Sequence, residues 1–455
     1  MNIASSPERF FAVAALAYFA KAFAPFTAGF EVGGYSMQAA AFGNPLDQIV
    51  GSAIYAISLW LLAREHDAVR AVFASPLLSA FIMLTIISAL WSAVPGITLR
   101  RAIGLLGTAS FGAYLACRFT PHEVLKMTAT AFAIVTGLSI LFIVIVPSYG
   151  TAGGMEIAGV FGQKNELGRA MVFAVVATWA LTRDTEFRRP AWAIPALLAA
   201  LALLLLSRSA QAIVGLAAAV VVIIPLLTVC ARWFKKVDLR LGLALLLLMM
   251  LVAVVVSAVA EELLALLGRD ATLTDRTLIW ELLIEFAQER PWLGRGYGAF
   301  WFSDVSVLFA DRWGALDHAH NGYMDLWLEL GYVGVAAFVL LLLAASRAAW
   351  DAYLKRPTSA RLFFPTFILV ASLVNCVGRL IPAHNSIYWV LLCYCAMMQL
   401  SLQRSERLLT FHYWPPLTPR PPQAGPQQLL GSERPNRSND GGLGETNRSP
   451  GDSTA

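Results

Sequence analysis

Charge is what this chain has least of. Asp, Glu, Lys and Arg make up only 14% of its 455 residues, hydrophobic residues reach 58%, and mean hydropathy is +0.64. A soluble globular domain carries roughly 25% charge, so this composition excludes one and indicates an integral membrane protein. Strand-like alternation of apolar and polar residues is also missing, which disfavours a transmembrane barrel. Cysteine is scarce. Cys117, Cys230, Cys376, Cys393 and Cys395 fall in or at the ends of apolar runs, with no pair in a large polar loop, which speaks against a disulfide framework or a zinc site. No carboxylate cluster has metal-ligand spacing, and neither coiled-coil heptads nor a repeat beyond helix spacing is visible. The net charge of +5 comes from basic residues at one set of helix ends, so it reports orientation and gives no hint of nucleic acid.

Apolar runs are what the chain has in abundance. A spanning helix needs about 20 mostly apolar residues, and the runs predict twelve spans, near 10–30, 48–63, 76–92, 97–117, 127–147, 166–182, 190–206, 211–230, 241–259, 322–346, 362–380 and 385–402. The class is an all-α polytopic helical bundle. Arg9 and the run from Phe10 resemble a signal peptide, but no small-residue cleavage site follows and Lys21 interrupts the run, so it reads as a retained first helix. Lys and Arg set the orientation. Arg64 and Arg70, Arg118 and Lys126, Arg183 to Arg189, Arg232 to Arg240, and Arg347 to Arg361 fall in alternate connections, which places them and both termini inside.

Two segments break the pattern of short loops. The first, 261–321 on the outer side, reads as a folded lid between spans in 1–260 and spans in 322–402. Thr274 can cap a helix from Asp275 to Glu289 whose Ile279, Leu282, Leu283 and Phe286 form one apolar face, and Pro291 stops it. Gly294, Gly296 and Gly298 mark turns, and Phe300-Trp301-Phe302 suits a membrane interface. The second segment is the tail, 403–455, rich beyond Trp414 in Pro, Gly, Ser, Asn and Arg and too poor in apolar residues to fold.

Polar residues gather at the predicted outer helix ends: Lys164 and Asn165, Arg208, Arg276, His318, His320 and Asn321, Arg379, and His384. Charge near hydrocarbon is expensive and usually functional, though a single such group can simply snorkel to headgroups. Guanidinium groups on one face suit a multiply charged anion, which they bind bidentately. Arg276 also stands in the first turn of a predicted helix, where free N–H groups favour phosphate. Histidine is the side chain best suited to take a proton near neutral pH. His318-Ala319-His320-Asn321 reads either as polar capping at a membrane surface or as a source of a general base.

These motifs carry a resemblance. Gly159-Val160-Phe161-Gly162-Gln163-Lys164-Asn165-Glu166-Leu167-Gly168, Leu206-Ser207-Arg208-Ser209, Asp275-Arg276-Thr277-Leu278-Ile279-Trp280, Gly294 to Phe300, and His318-Ala319-His320-Asn321-Gly322-Tyr323 with Glu329-Leu330-Gly331 occur in order. Leu90-Trp91-Ser92, Pro95 and Arg100-Arg101 fit as well. The chain resembles the O-antigen ligase and polysaccharide polymerase superfamily over about 90–390. The Gly-Tyr-Gly-Ala-Phe-Trp run and the His-Asn-Gly-Tyr form look more like exopolysaccharide polymerases than lipid A core ligases.

The resemblance implies a GT-C-like bundle with one large periplasmic loop, embedded in the bacterial inner membrane with its active site facing the periplasm. It implies transfer of a glycan from an undecaprenyl diphosphate carrier to an acceptor hydroxyl on a glycan or lipid-linked glycan, without metal or other cofactor. Arg208 and Arg276 match the arginines that hold the diphosphate, with Lys164 beside them, and His320 matches the proposed base. Asn165, His318, Asn321, Arg379 and His384 are expected in supporting roles. Membrane lipids, a chain-length regulator and a flippase are the expected partners. A lipid-linked glycan transporter is the competing class, for which matching broken helices in two halves and midplane charges would be required.

Overall fold

The computed structural model describes residues 4–28, 44–65, 74–151, 156–184, 189–233, 274–305, 316 and 318–413, and among them there is no strand. Contacts divide the chain into Met1–Leu409 and Thr410–Ala455, the second described only to Tyr413.

Prolines and caps start the helices where the sequence supplies them. Helix α1 (Ser6–Phe19) opens with a capping box of Ser5 and Glu8, and α5 (Pro121–Ile145) with one of Thr120 and Glu123. Pro45, Pro76 and Pro95 begin α2 (Pro45–Ala63), α3 (Pro76–Ile87) and α4 (Pro95–Arg118), where a missing N–H costs nothing. Then come α6 (Lys164–Thr182), α7 (Ala193–Leu206), and α8, which runs Ala210–Ala217, takes a π turn over Ala218–Ile223 and resumes as Ile224–Trp233. After α9 (Thr274–Glu289) follow α10 (Gly322–Lys355), α11 (Ser359–Asn375), α12 (Ile387–Ala396) and α13 (Met398–Tyr413).

Four helical stretches among the described residues are long and apolar enough to cross a membrane: Pro45–Ala63, Pro121–Ile145, Ala210–Ala231 and Gly322–Lys355. The protein is an all-α membrane protein. Helices α6, α11 and α12 and most of α4 are buried along their length. Gly112 lets α4 meet α12, since a Cβ there would stand 2.9 Å from the Val390 carbonyl oxygen. Helices α2, α5 and α8 instead present exposed apolar side chains such as Ile49, Val144 and Val221, which cost nothing against lipid.

Helices overlie eleven of the twelve predicted spans, and the ninth, 241–259, lies outside the described residues. The first is shorter than its apolar run predicts. It ends at Phe19, and Lys21 turns the chain in the left-handed region (φ 64°). The last helix continues to Tyr413, past the predicted start of the tail at 403.

Residues assigned to the inner side meet one another. Arg118 bonds Glu8 at 2.9 Å and Glu65 at 3.4 Å, Arg9 bonds Glu123 at 3.2 Å, and the His122 imidazole bonds the Asp184 carboxylate. Exposed Asp304 and Arg356 offer a test of sidedness. Cysteine at Asp304 should react with an impermeant thiol reagent on intact spheroplasts and cysteine at Arg356 should not; the reverse pattern inverts the topology.

Helix α9 builds a small core of its own. Ile279, Leu283 and Ala287 are buried with Phe300, Trp301, Ala319 and Leu328, whereas Leu282, expected on that face, is 36% exposed. Phe300 and Trp301 are likewise not interfacial: they are 0% and 1% exposed. The reason is a buried partner, because Trp301 Nε1 donates to Asp325 Oδ1 at 2.8 Å.

Candidate functional site

The site is framed by a break in α10. Gly331 adopts φ 65°, ψ −165°, and there the carbonyls of Leu328 and Glu329 accept from Arg295 N (3.0 Å) and Gly296 N (2.8 Å) of the glycine-rich loop. Tyr332 N and Val333 N in turn donate to Pro291 and Trp292. The loop is also tied to the α3–α4 corner, where Ala93 N donates to Arg295 O at 2.9 Å and Tyr297 N to Ser88 Oγ at 3.1 Å. The segment 291–302 is thus held to two parts of the bundle.

The segment 376–386 carries two of the predicted groups, Arg379 and His384, and meets the start of α10. Gly322 N donates to Gly378 O at 3.0 Å, which joins the His318–Asn321 stretch to Gly378-Arg379. Arg379 Nη2 lies 2.9 Å from Glu329 Oε1, whose side chain is 2% exposed. Breaking such a buried pair by removing one partner costs about 3–5 kcal/mol. A Cβ at Gly378 would stand 2.1 Å from Arg169 Nη1, so the guanidinium packs directly against this glycine. Arg169 belongs to α6, whose Asn165 accepts a bond from Ser209 Oγ at 2.9 Å, beside Arg208. Between them lies a cavity of about 150 Å³ lined by Lys21, Glu166, Arg169, Arg379, His384 and Asn385, three cations against one carboxylate.

Among the described residues, the non-glycine residues with left-handed backbones are Lys21, Arg208, His320 and Asn385. Each such position costs roughly 1–3 kcal/mol outside glycine and persists only where the surroundings enforce it. All four stand at this end of the bundle, two lining the cavity and two in segments bonded to its frame.

Of the predicted residues, His320 and His318 are partly buried with ring centroids 4.2 Å apart. Asn321 is committed to the backbone, where its Oδ1 accepts from Tyr323 N (3.0 Å) and Met324 N (3.2 Å) as the cap of α10. Lys164 starts α6 and pairs with Glu156. Arg208 is exposed at the α7–α8 corner (φ 50°). Arg276 is the third residue of α9, and its side chain lies outside the described residues. One turn later, Trp280 Nε1 donates to Ala319 O at 2.8 Å, fixing α9 to the histidine segment. His384 packs over Gly104 of α4. Burial, then the charges of Arg101, Lys21, Arg379 and Arg100, hold its pKa well below the usual histidine value.

Sequence reasoning missed Lys21, Arg169, Asp325 and Glu329 as members of this cluster. The signal for the last two was present: carboxylates in an apolar span are functional by default. Arg101 donates to Gly298 O at 3.2 Å and lies 4.4 Å over the Phe302 ring, closing the same wall.

A model of the O-antigen ligase family matches residues 195–339, the stretch that holds Arg208, Arg276, His318 and His320. Over 396 residues the chain is 26% identical to the exopolysaccharide production protein ExoQ of Rhizobium meliloti (strain 1021), covering 82% of this chain and 88% of that one. By both comparisons the chain is similar to the O-antigen ligase and polymerase superfamily. That similarity supports a membrane protein with an O-antigen ligase or polymerase type of role in polysaccharide assembly, for which lipid-linked glycans are the implied substrates.

Proposed function

We propose that the protein is a polysaccharide polymerase of the bacterial inner membrane, with about twelve spans in a GT-C-like bundle and its active site facing the periplasm. The layout is that read from the sequence: spans in 1–260 and 322–402, a periplasmic loop 261–321 and a cytoplasmic tail 403–455. The supporting observation is the chain of contacts from His320 through Gly322 and Gly378 to Arg379, Arg169 and the corner of Arg208.

In this reading an acceptor sugar hydroxyl gives its proton to a ring nitrogen of His320. The oxygen attacks the anomeric carbon of the donor from the side opposite the diphosphate. The carbon–oxygen bond to the carrier breaks, its electron pair stays on the phosphate oxygen, and the anomeric centre inverts. Arg208 and Arg276 neutralise the departing undecaprenyl diphosphate, with Lys164 beside them. Electrostatic stabilisation of this kind is worth about 10²–10³-fold per donor. The cationic cavity of Lys21, Arg169 and Arg379 extends the positive field, so side chains supply the charge and no metal or other cofactor is invoked. His384, held neutral, adds a hydrogen-bonding group without competing for the proton.

The similarity to an exopolysaccharide production protein favours polymerase over ligase, which shares the chemistry but joins polysaccharide to lipid A core. A transporter is disfavoured, because the candidate site residues stand at helix ends and the sequence shows no repeated halves. A flippase and a chain-length regulator would act beside the enzyme. In a deletion strain, mass measurement of the accumulating lipid-linked glycan should show single repeat units. Long lipid-linked chains would identify a ligase instead.

A further inference from the structure

We infer that Asp325 is a positioning residue that fixes His320 through the backbone of Ala319; this rests on His320 being the proton acceptor. Asp325 is 1% exposed, in the short first segment of α10 before the break at Gly331. Its Oδ1 accepts from Ala319 N at 2.9 Å and from Trp301 Nε1 at 2.8 Å. Ala319 stands between the two histidines, so one carboxylate oxygen holds the His318–Ala319 peptide, one residue ahead of His320. On the far side Gly322 N is held by Gly378 O at 3.0 Å. His320 is therefore clamped from both directions, and between the clamps its backbone takes φ 53°. A histidine left without these bonds relaxes out of that region. The ring would then swing away from the acceptor hydroxyl.

A buried carboxylate is a costly way to make two hydrogen bonds, and Oδ2 is buried with no hydrogen-bond partner among the described residues. Trp301 and Ala319 need an acceptor at this point and nothing in their geometry needs a charge. The same Trp301 sits in the lid core with Phe300, Ile279 and Leu283. Asp325 thereby joins the lid, the histidine segment and α10, and the base is in register only when all three are docked.

The role separates from a chemical one by the order of its variants. Asp325→Asn keeps an oxygen acceptor at the same distance and loses the charge; Asp325→Glu keeps the charge and displaces the oxygen. With purified full-length protein, transfer and binding of a lipid-linked diphosphate glycan are measured in parallel across pH. Positioning through geometry predicts Asp325→Asn within about threefold of the parent with an unmoved pH profile, and Asp325→Glu lower by about 10²-fold in turnover with donor binding retained. Trp301→Phe, which leaves the Ala319 bond in place, should fall by less than about tenfold. Loss in Asp325→Asn equal to that in Asp325→Glu, or a shifted pH profile, would show that the charge matters and overturn the inference. Full activity of Asp325→Glu overturns it as well. His320→Ala serves as the reference: if that protein is active the reading of the base fails, whereas an inactive His320→Ala beside fully active Asp325 variants sinks only the positioning role.

Discussion

His320→Ala should reduce transfer from a lipid-linked donor by about 10³-fold while donor affinity stays within about twofold. The expectation follows from where the other histidines are. His122 bonds Asp184 beyond the opposite helix ends, and His384 is kept neutral by burial and four cationic neighbours. His318 shares the segment, with its ring 4.2 Å from that of His320. Its backbone lacks the left-handed turn that the structure imposes on His320, so His318→Ala should be milder, below about tenfold, and His384→Ala intermediate. Because burial, and then the neighbouring cations, disfavour a second proton on His384, its pKa is displaced well below the ordinary histidine value. His384→Gln should therefore leave the acid limb of the pH–rate profile in place. The contrasting variant is Arg208→Ala, in which donor binding should fall together with turnover. Transfer of a purified donor, with binding measured in parallel, decides the matter. Near-normal turnover in His320→Ala, or binding lost in proportion to rate, removes His320 from the role of base.

What could be read from the sequence was local chemistry. Prolines and Ser, Thr or Asn caps fix where α1 to α5 and α10 begin, since a cap satisfies an orphan N–H of the first turn and a proline removes one. Polar side chains at apolar helix ends singled out the candidate residues for the same local reason. Which ends meet was not local. The bond from Gly322 N to Gly378 O spans more than fifty residues, and no periodicity encodes it. Phe300 and Trp301 were misplaced at the membrane interface because an aromatic triplet beside glycines looks alike in either setting; the buried Asp325 acceptor decides it. Lys21 was read as an interruption of an apolar run, whereas its left-handed turn brings the side chain to the cavity.

Gly331→Ala should be the most damaging small substitution in the lid frame, lowering stability by about 3–5 kcal/mol from backbone strain and overpacking together. At φ 65°, ψ −165° the backbone occupies a region essentially reserved for glycine. Space is closed as well: an added Cβ would lie 2.2 Å from the Trp292 carbonyl carbon and 2.4 Å from Leu293 N. Both are backbone atoms, and they are held by the bonds that Tyr332 N and Val333 N donate to Pro291 and Trp292. The loop cannot retreat without losing those bonds and the pair from Arg295 N and Gly296 N to α10. Gly137→Ala is the control, because that glycine lies within α5 with nothing inside 4 Å of the added Cβ, and there alanine should be neutral or stabilising by up to about 1 kcal/mol. Thermal unfolding of the two proteins in detergent, followed by protease sensitivity in the lid, measures the difference. The same experiment links the break to function, since Glu329, whose carbonyl holds the loop, also carries the carboxylate that holds Arg379. Gly331→Ala protein that survives should therefore lose donor binding before it loses its helices. If it matches Gly137→Ala in both stability and binding, the break in α10 does not hold the lid.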